Sequence, residues 1–81
     1  GPVISTIIPA YQEGEAINQV IRHLRSIQGG IGREIIVVDG HSDGNTLSAI
    51  DDGAVIRIHS GKGRGRQMNA GAQAARGDIL L

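Results

Sequence analysis

EIIVVDGHSDGNT, residues 34–46, is the most telling stretch of this chain. Four aliphatic residues, Ile35, Ile36, Val37 and Val38, are followed at once by an acid, Asp39, and then by a turn of small polar residues up to Asn45. A strand that is apolar at every position needs cover on both faces, which is the pattern of a parallel sheet between layers of helix. The polar chemistry begins where the strand stops, at its carboxyl end.

The flanking sequence repeats that order. Residues 3–8 form a second β-branched run, predicted to be a strand that ends at Pro9, which has no N–H for a ladder bond. The loop Ala10-Tyr11-Gln12-Glu13-Gly14 follows. Ala16, Ile17, Val20, Ile21, Leu24 and Ile27 then recur at three- and four-residue steps, the spacing of one helix face. Glu13 and Glu15 near its start and Arg22, His23 and Arg25 toward its end suit the helix dipole, and Gly29, Gly30 and Gly32 stop it.

Beyond the opening stretch, a short helix is predicted over residues 46–52, with Leu47 and Ile50 inward and Gly53 ending it. Ser42, Asp43, Asn45 and Thr46 are its expected caps. Residues 54–59 read as a third strand, with Val55 and Arg57 on one face and Ile56 and Ile58 on the other. The loop Gly61-Lys62-Gly63-Arg64-Gly65 leads to a helix over residues 66–76, whose Ala70, Gly71, Ala72, Ala74 and Ala75 permit close approach to a sheet. Gly77 caps it and residues 78–81 begin a fourth strand. The order β-α-β-α-β-α-β predicts a Rossmann-like α/β fold with a mostly parallel sheet and right-handed crossovers. Residues 1–81 read as one domain or the first part of one.

Composition narrows the possibilities. The 81 residues contain no cysteine, so neither a disulfide framework nor a cysteine metal site is available. No apolar run exceeds four residues, which excludes a membrane span or signal peptide within the chain, and a cytoplasmic protein is expected. A hydrophobic content of 40% is too high for a disordered tail. The net charge is zero, yet residues 53–77 carry Arg57, Lys62, Arg64, Arg66 and Arg76 and no acid. Neutrality overall and the lack of interleaved aromatics argue against nucleic-acid binding. The first residues are Gly1-Pro2, without an initiator Met, and the last are the apolar Ile79-Leu80-Leu81, so a truncated chain is expected.

In an open α/β sheet, ligands bind beyond the carboxyl ends of the strands. The loops after Pro9, Asp39 and His59 all fall there. Lys62, Arg64 and Arg66, spaced by glycines at a helix start, suit a phosphate, or else form a solvated basic loop. The loop is not a P-loop, because Gly63 follows Lys62 in place of Ser or Thr, and no G-x-G-x-x-G stands at the first turn. Asp39 at a strand end can accept from a ribose or a base, bind a metal, or form a turn or helix cap. Tyr11, the one aromatic, stacks on a base or covers the sheet edge. His23 reads as a surface residue, and His41 and His59 are too scattered for a zinc site.

Three segments together resemble the N-terminal half of a family 2 glycosyltransferase with the GT-A fold. VISTIIPAYQE, residues 3–13, is similar to the family's opening strand and loop, with Gln12 where Asn is commoner. Residues 34–46 resemble its second-strand motif with a nucleotide-binding aspartate. GRGRQMNAGAQAARGDILL, residues 63–81, resembles its third motif and is most similar to the bacterial radical-SAM/selenodomain-associated transferases. Where the family has Ser-x-Asp-Gly-Thr, this chain has Ser42-Asp43-Gly44-Asn45-Thr46, so Asp43 falls one place early while Asp39 stays aligned.

The resemblance implies a nucleotide-diphosphate-sugar donor. Pro9, Ala10, Tyr11 and Glu13 would frame the base and ribose, and Asp39 would bind one of them. Arg66 with Asn69, Ala70 and Gly71 would line the donor site near the ribose or diphosphate. The family's Mg or Mn site, an acidic pair, is expected just after Leu81, and the catalytic base and acceptor site later still. No catalytic residue or metal ligand is expected within the chain, which would be inactive alone. An open outer edge on the fourth strand would favour a homo-oligomer or strand-exchanged dimer. The rival readings are a non-enzymatic nucleotide- or anion-binding module and a purely structural domain.

Overall fold

The computed structural model of the chain describes residues 4–27, 33–76 and 78–80. Strand β2 (Arg33–Asp39) lies inside the sheet, and its side chains from Ile35 to Val38 are at most 1% exposed. It pairs with β1 (Ile4–Ala10) on one side and β3 (Ile56–His59) on the other. Strand β4 (Asp78–Leu80) lies on the far side of β1, giving the order β3-β2-β1-β4 with every pairing parallel. The first and fourth strands are therefore direct neighbours, and β4 forms one edge of the sheet.

Two apolar clusters cover the two faces. Ile35 and Val37 pack with Ile17 and Ile21 of α1 (Ile17–Ser26) and with Leu47 and Ala49 of α2 (Asn45–Ala49). Ile36 and Val38, with Ile7 of β1, face Met68, Ala70 and Ala74 of α3 (Arg64–Ala74). The alternation along β2 thus feeds both layers, as an all-aliphatic strand requires. Each fully buried Ile or Val contributes about 1.5–3 kcal/mol, and neither cluster contains an aromatic ring.

Several elements differ from their expected bounds, each for a local reason. Strand β1 does not stop at Pro9 but runs through it, pairing Pro9 with Val38 and Ala10 with Asp39. The Ala10 carbonyl accepts from the Gly40 N–H at 3.0 Å, so Ala10 bonds toward β2 and Pro9 faces the opposite side. There the described pairing with β4 ends at Thr6, and no N–H is asked of Pro9. Helix α1 buries Ile17 and Ile21, but Val20 and Ile27, counted on its apolar face, are 41% and 57% exposed.

Helix α2 ends at Ala49, short of residue 52, because Asn18 of α1 takes over its carboxyl end. The Asn18 amide donates to the Ala49 carbonyl at 2.8 Å and its oxygen accepts from the Asp51 N–H at 3.0 Å. Asp52 turns the chain by accepting from the Ala54 N–H, which delays β3 to Ile56. Arg57 ties this turn down with guanidinium bonds to the carbonyls of Val55, Ile50 and Asp52. Helix α3 starts at Arg64 instead of Arg66, its first bond running from the Gln67 N–H to the Gly63 carbonyl. Gly63, at φ 124°, holds a conformation that side chains rarely adopt. The glycines expected to end α1 (Gly29, Gly30, Gly32) and to cap α3 (Gly77) lie outside the described residues.

At the amino ends of the strands, opposite Asp39 and the polar loops, Glu34 joins three segments. Its carboxylate accepts from the Ser5 hydroxyl (2.7 Å), from the Arg76 N–H (2.9 Å) and from the Arg76 guanidinium (3.0 Å). The peptide N–H of Arg76, then Ser5, hold the Glu34 carboxyl below the usual carboxylate range. The Arg25 guanidinium and the Ala54 N–H do the same for Asp52. A depressed folded pKa gives stability that is complete above the unfolded value, about 4 for both residue types, and is lost as pH falls through the folded one. Urea midpoints should therefore hold from neutral pH to about 5 and fall steeply below about 4. In Glu34→Gln the neutral-pH midpoint should already be lower and the acid fall shallower; an unchanged acid limb would exclude Glu34 as its source.

Candidate functional site

Asp39 ends β2 fully buried, and both its oxygens are engaged. Oδ1 accepts from the His41 N–H at 2.8 Å, and Oδ2 accepts from the N–H groups of Thr46 at 3.1 Å and Leu47 at 3.4 Å. Asp39 is thus both turn-former and cap of α2. This corrects the expectation for Ser42, Asp43, Asn45 and Thr46: the residue at the cap position is Gly44, φ 64°, and no side chain caps from there. The reason is positional, since the strand-end carboxylate already occupies the space in front of the helix.

Two further buried polar side chains knit the neighbouring loops. Thr46 accepts from the Glu13 N–H through its hydroxyl at 2.9 Å, fixing the loop after β1. Gln67 of α3, 6% exposed, donates from Nε2 to the carbonyls of Ala10 (2.8 Å) and Val38 (3.0 Å). A Cβ at Gly40 would lie 2.8 Å from the Gln67 amide carbon, so the bare glycine makes room for this contact. Sequence reading passed over Gln67, because Gln67 and Gln73, six residues apart in an Ala-rich helix, show no pattern.

Above this layer is a cleft of about 270 Å³ at the carboxyl ends of β1, β2 and β3. Tyr11, Gly40, His41 and Ser42 line one side, and His59, Ser60, Gly61 and Lys62 the other. The Tyr11 and His41 rings meet edge to face, centroids 4.9 Å apart at 70°. The Lys62 ammonium stands 5.5 Å from the Tyr11 ring centre. His41 is held from several directions, by Gln12 at Nε2 (3.2 Å), by the Asp43 carboxylate at Nδ1, and by His59 Nε2 at its carbonyl. A larger hollow, about 540 Å³, borders Glu13, Glu15 and Asn45, but its carboxylates repel an anion.

The expected site residues divide into three groups. Tyr11 lines the cleft, with Asp39 and Ala10 buried beneath it and Pro9 half-buried in β1. Glu13 is exposed on the next loop, and Arg66 lies over Gly61 at the cleft rim. Asn69 is exposed further along α3, while Ala70 and Gly71 face the sheet: a Cβ on Gly71 would sit 2.5 Å from Ile7 Cγ2. His41 and His59, scattered in sequence, come together because β2 and β3 pair Asp39 with His59. Two histidines close behind neighbouring parallel strand ends were the available signal. Among the described residues, no three His, Asp or Glu side chains converge as a metal site.

Gln12 is the one non-glycine described with positive φ, at 53°. A left-handed backbone costs a side-chain-bearing residue roughly 1–2 kcal/mol, part of which glycine forfeits through its freer unfolded chain. Gln12→Gly should therefore stabilise the chain by about 0.5–1 kcal/mol in urea unfolding. A loss of stability would show that the Gln12–His41 contact outweighs the strain.

Residues 5–81 match the family described as Glycosyl transferase family 2. The chain belongs to that family. Glucosyl-3-phosphoglycerate synthase of Mycolicibacterium smegmatis is 27% identical over 89 residues. That alignment covers 99% of this chain and 29% of the relative, so the family 2 chain spans under a third of that protein's length. No solved structure matches it. Within this family 2 chain, the matched segment includes all three strand ends and both walls of the cleft.

Proposed function

We propose that the chain is the donor-binding part of a glycosyltransferase, a single domain over residues 1–81 that holds a nucleotide-diphosphate sugar while its sugar passes to an acceptor hydroxyl. The observation that carries this reading is the cleft in which Tyr11, His41 and Lys62 stand together at the strand ends of a family 2 chain. Its volume, about 270 Å³, suits one moiety of such a donor, with the rest extending over the rim. In sugar transfer the acceptor oxygen bonds the anomeric carbon as the bond to the diphosphate breaks, and negative charge collects on the leaving group. Lys62, with Arg64 and Arg66 on the same exposed loop and helix start, meets that charge. The Tyr11 face offers a stacking surface for the base, with Ala10 and Asp39 buried beneath it, Pro9 half-buried in β1 and Glu13 exposed on the adjoining loop. Arg66 at the rim and the exposed Asn69 further along α3 face the ribose or diphosphate in this reading, while Ala70 and Gly71 seat that helix on the sheet.

The relative is named as a glucosyl-3-phosphoglycerate synthase, which supports a sugar donor for this chain. A divalent cation, Mg or Mn, would neutralise the diphosphate. The described residues do not fit such an ion. We place its ligands, the catalytic base and the acceptor site outside this chain, which alone transfers no sugar. The further placements are the radical-SAM/selenodomain-associated subgroup, on residues 63–81, the cytoplasm, and a homo-oligomer or strand-exchanged dimer formed at the outer edge of β4.

Calorimetry with uridine and guanosine diphosphates tests the donor site. Lys62→Ala should weaken binding at least about tenfold, and Tyr11→Ala by about five- to tenfold, both with unchanged circular dichroism. Binding that ignores both changes would remove the cleft from consideration, and metal-dependent sugar transfer by the chain alone would refute the assignment of the catalytic machinery elsewhere.

A further inference from the structure

Both ring nitrogens of His41 face groups that serve equally as donor or acceptor. At Nδ1, Asp43 presents its backbone N–H (3.3 Å) and its carboxylate. At Nε2, the Gln12 side-chain amide, 3.2 Å away, presents either its NH₂ or, after a flip, its oxygen. The neutral ring accepts at one nitrogen and donates at the other; the charged ring donates to the Asp43 carboxylate and the Gln12 oxygen. A proton can therefore be added without moving the imidazole or the Tyr11 ring packed against it. What changes is one positive charge on the wall of a cleft that already carries Lys62.

We propose that His41 is an affinity-determining residue of the cleft, whose protonation strengthens the binding of a nucleotide-diphosphate sugar at fixed site geometry. This rests on the donor-site reading above. Histidine is the side chain whose ordinary titration falls between pH 5 and 8. The charged and titratable groups around His41 are Tyr11 after β1, Asp39 and Asp43 on its own loop, His59 at the end of β3, and Lys62. Asp39 is committed to the backbone amides of α2, so among the described residues Asp43 is the carboxylate that meets the ring. Asp43 thereby acquires a role here: it holds the charged ring in place.

The test is calorimetry of the 81-residue chain with UDP-glucose, whose diphosphate keeps its charge across the range. Affinity should rise about fivefold from about pH 8 to about pH 5.5, with proton uptake on binding. His41→Phe keeps a ring against Tyr11 and should bind with flat pH dependence, whereas His23→Asn, exposed on α1 away from the cleft, should retain the rise. In the unmodified chain, the His41 imidazole signals should titrate at higher pH when UDP-glucose is bound. A rise that survives in His41→Phe, or that vanishes in His23→Asn, overturns the proposal. So does an unmoved His41 titration in the bound chain. Flat binding that is still weakened by Tyr11→Ala and Lys62→Ala would sink the His41 role and leave the donor site standing. No UDP-glucose or diphosphate binding at any pH would sink both.

Discussion

Asp39→Ala should cost about 3–5 kcal/mol, enough to unfold much of the population, since a chain of this size has about 4–12 kcal/mol in all. The carboxylate is wholly buried and accepts from three backbone N–H groups. Hydrogen bonds to a charged group contribute about 1.5–3 kcal/mol each, and alanine leaves the donors buried without an acceptor. Asp39→Asn should fall between, because its NH₂ must face one set of those donors. Urea unfolding followed by circular dichroism measures both, and a change under about 1 kcal/mol for the alanine variant would contradict the capping role. The result also matters for ligand work. Lost nucleotide binding in Asp39→Ala would report an unfolded loop as readily as a lost contact, so Tyr11 and Lys62, exposed on the cleft, are the sounder probes.

Gly71→Val should be as damaging, from the opposite cause. A Cβ at this position would lie 2.5 Å from Ile7 Cγ2 and 3.1 Å from Val38 Cγ2, both deep in the apolar cluster under α3. Even Gly71→Ala brings overpacking of about 1–3 kcal/mol against a helix-propensity gain of about 1. Valine adds two methyl groups to the same collision, and about 4 kcal/mol or insoluble expression is expected. The pair should couple: with Ile7→Ala in the background, Gly71→Ala should cost less than it does alone. Additive effects would mean that helix and sheet separate rather than collide.

The alternation of strands and helices was plain in the sequence because it is written in runs and periods: β2 in the unbroken Ile35 to Val38, α1 in the spacing of Ile17, Ile21 and Leu24. The edge that carries the polar loops was equally plain, since β1, β2 and β3 each stop at one. What escaped was whatever depends on a partner distant in the chain. Pro9 looked like a terminator until the register showed its missing N–H turned from β2. The cap of α2 sits seven residues before Thr46, on another element. Gln67 meets its acceptors across 57 and 29 residues. The apolar stripe of α1 proved wider than the surface it meets, leaving Val20 and Ile27 in water. The cleft needed the register of β2 and β3 before His41 and His59 could be seen as neighbours.

The Glu34 junction has a consequence for the order of events during synthesis. Its two partners lie on either side of it in the chain, Ser5 at a separation of 29 residues and Arg76 at 42. Parallel pairing of this kind must close long loops before it gains anything, which slows folding. As the chain leaves the ribosome, β1 can meet β2 while Glu34 has only Ser5 to hold it. The carboxylate is completed when Arg76 emerges, and the same step brings in α3 to cover Ile7, Ile36 and Val38. Until then one face of the sheet is bare, and its apolar side chains are open to aggregation.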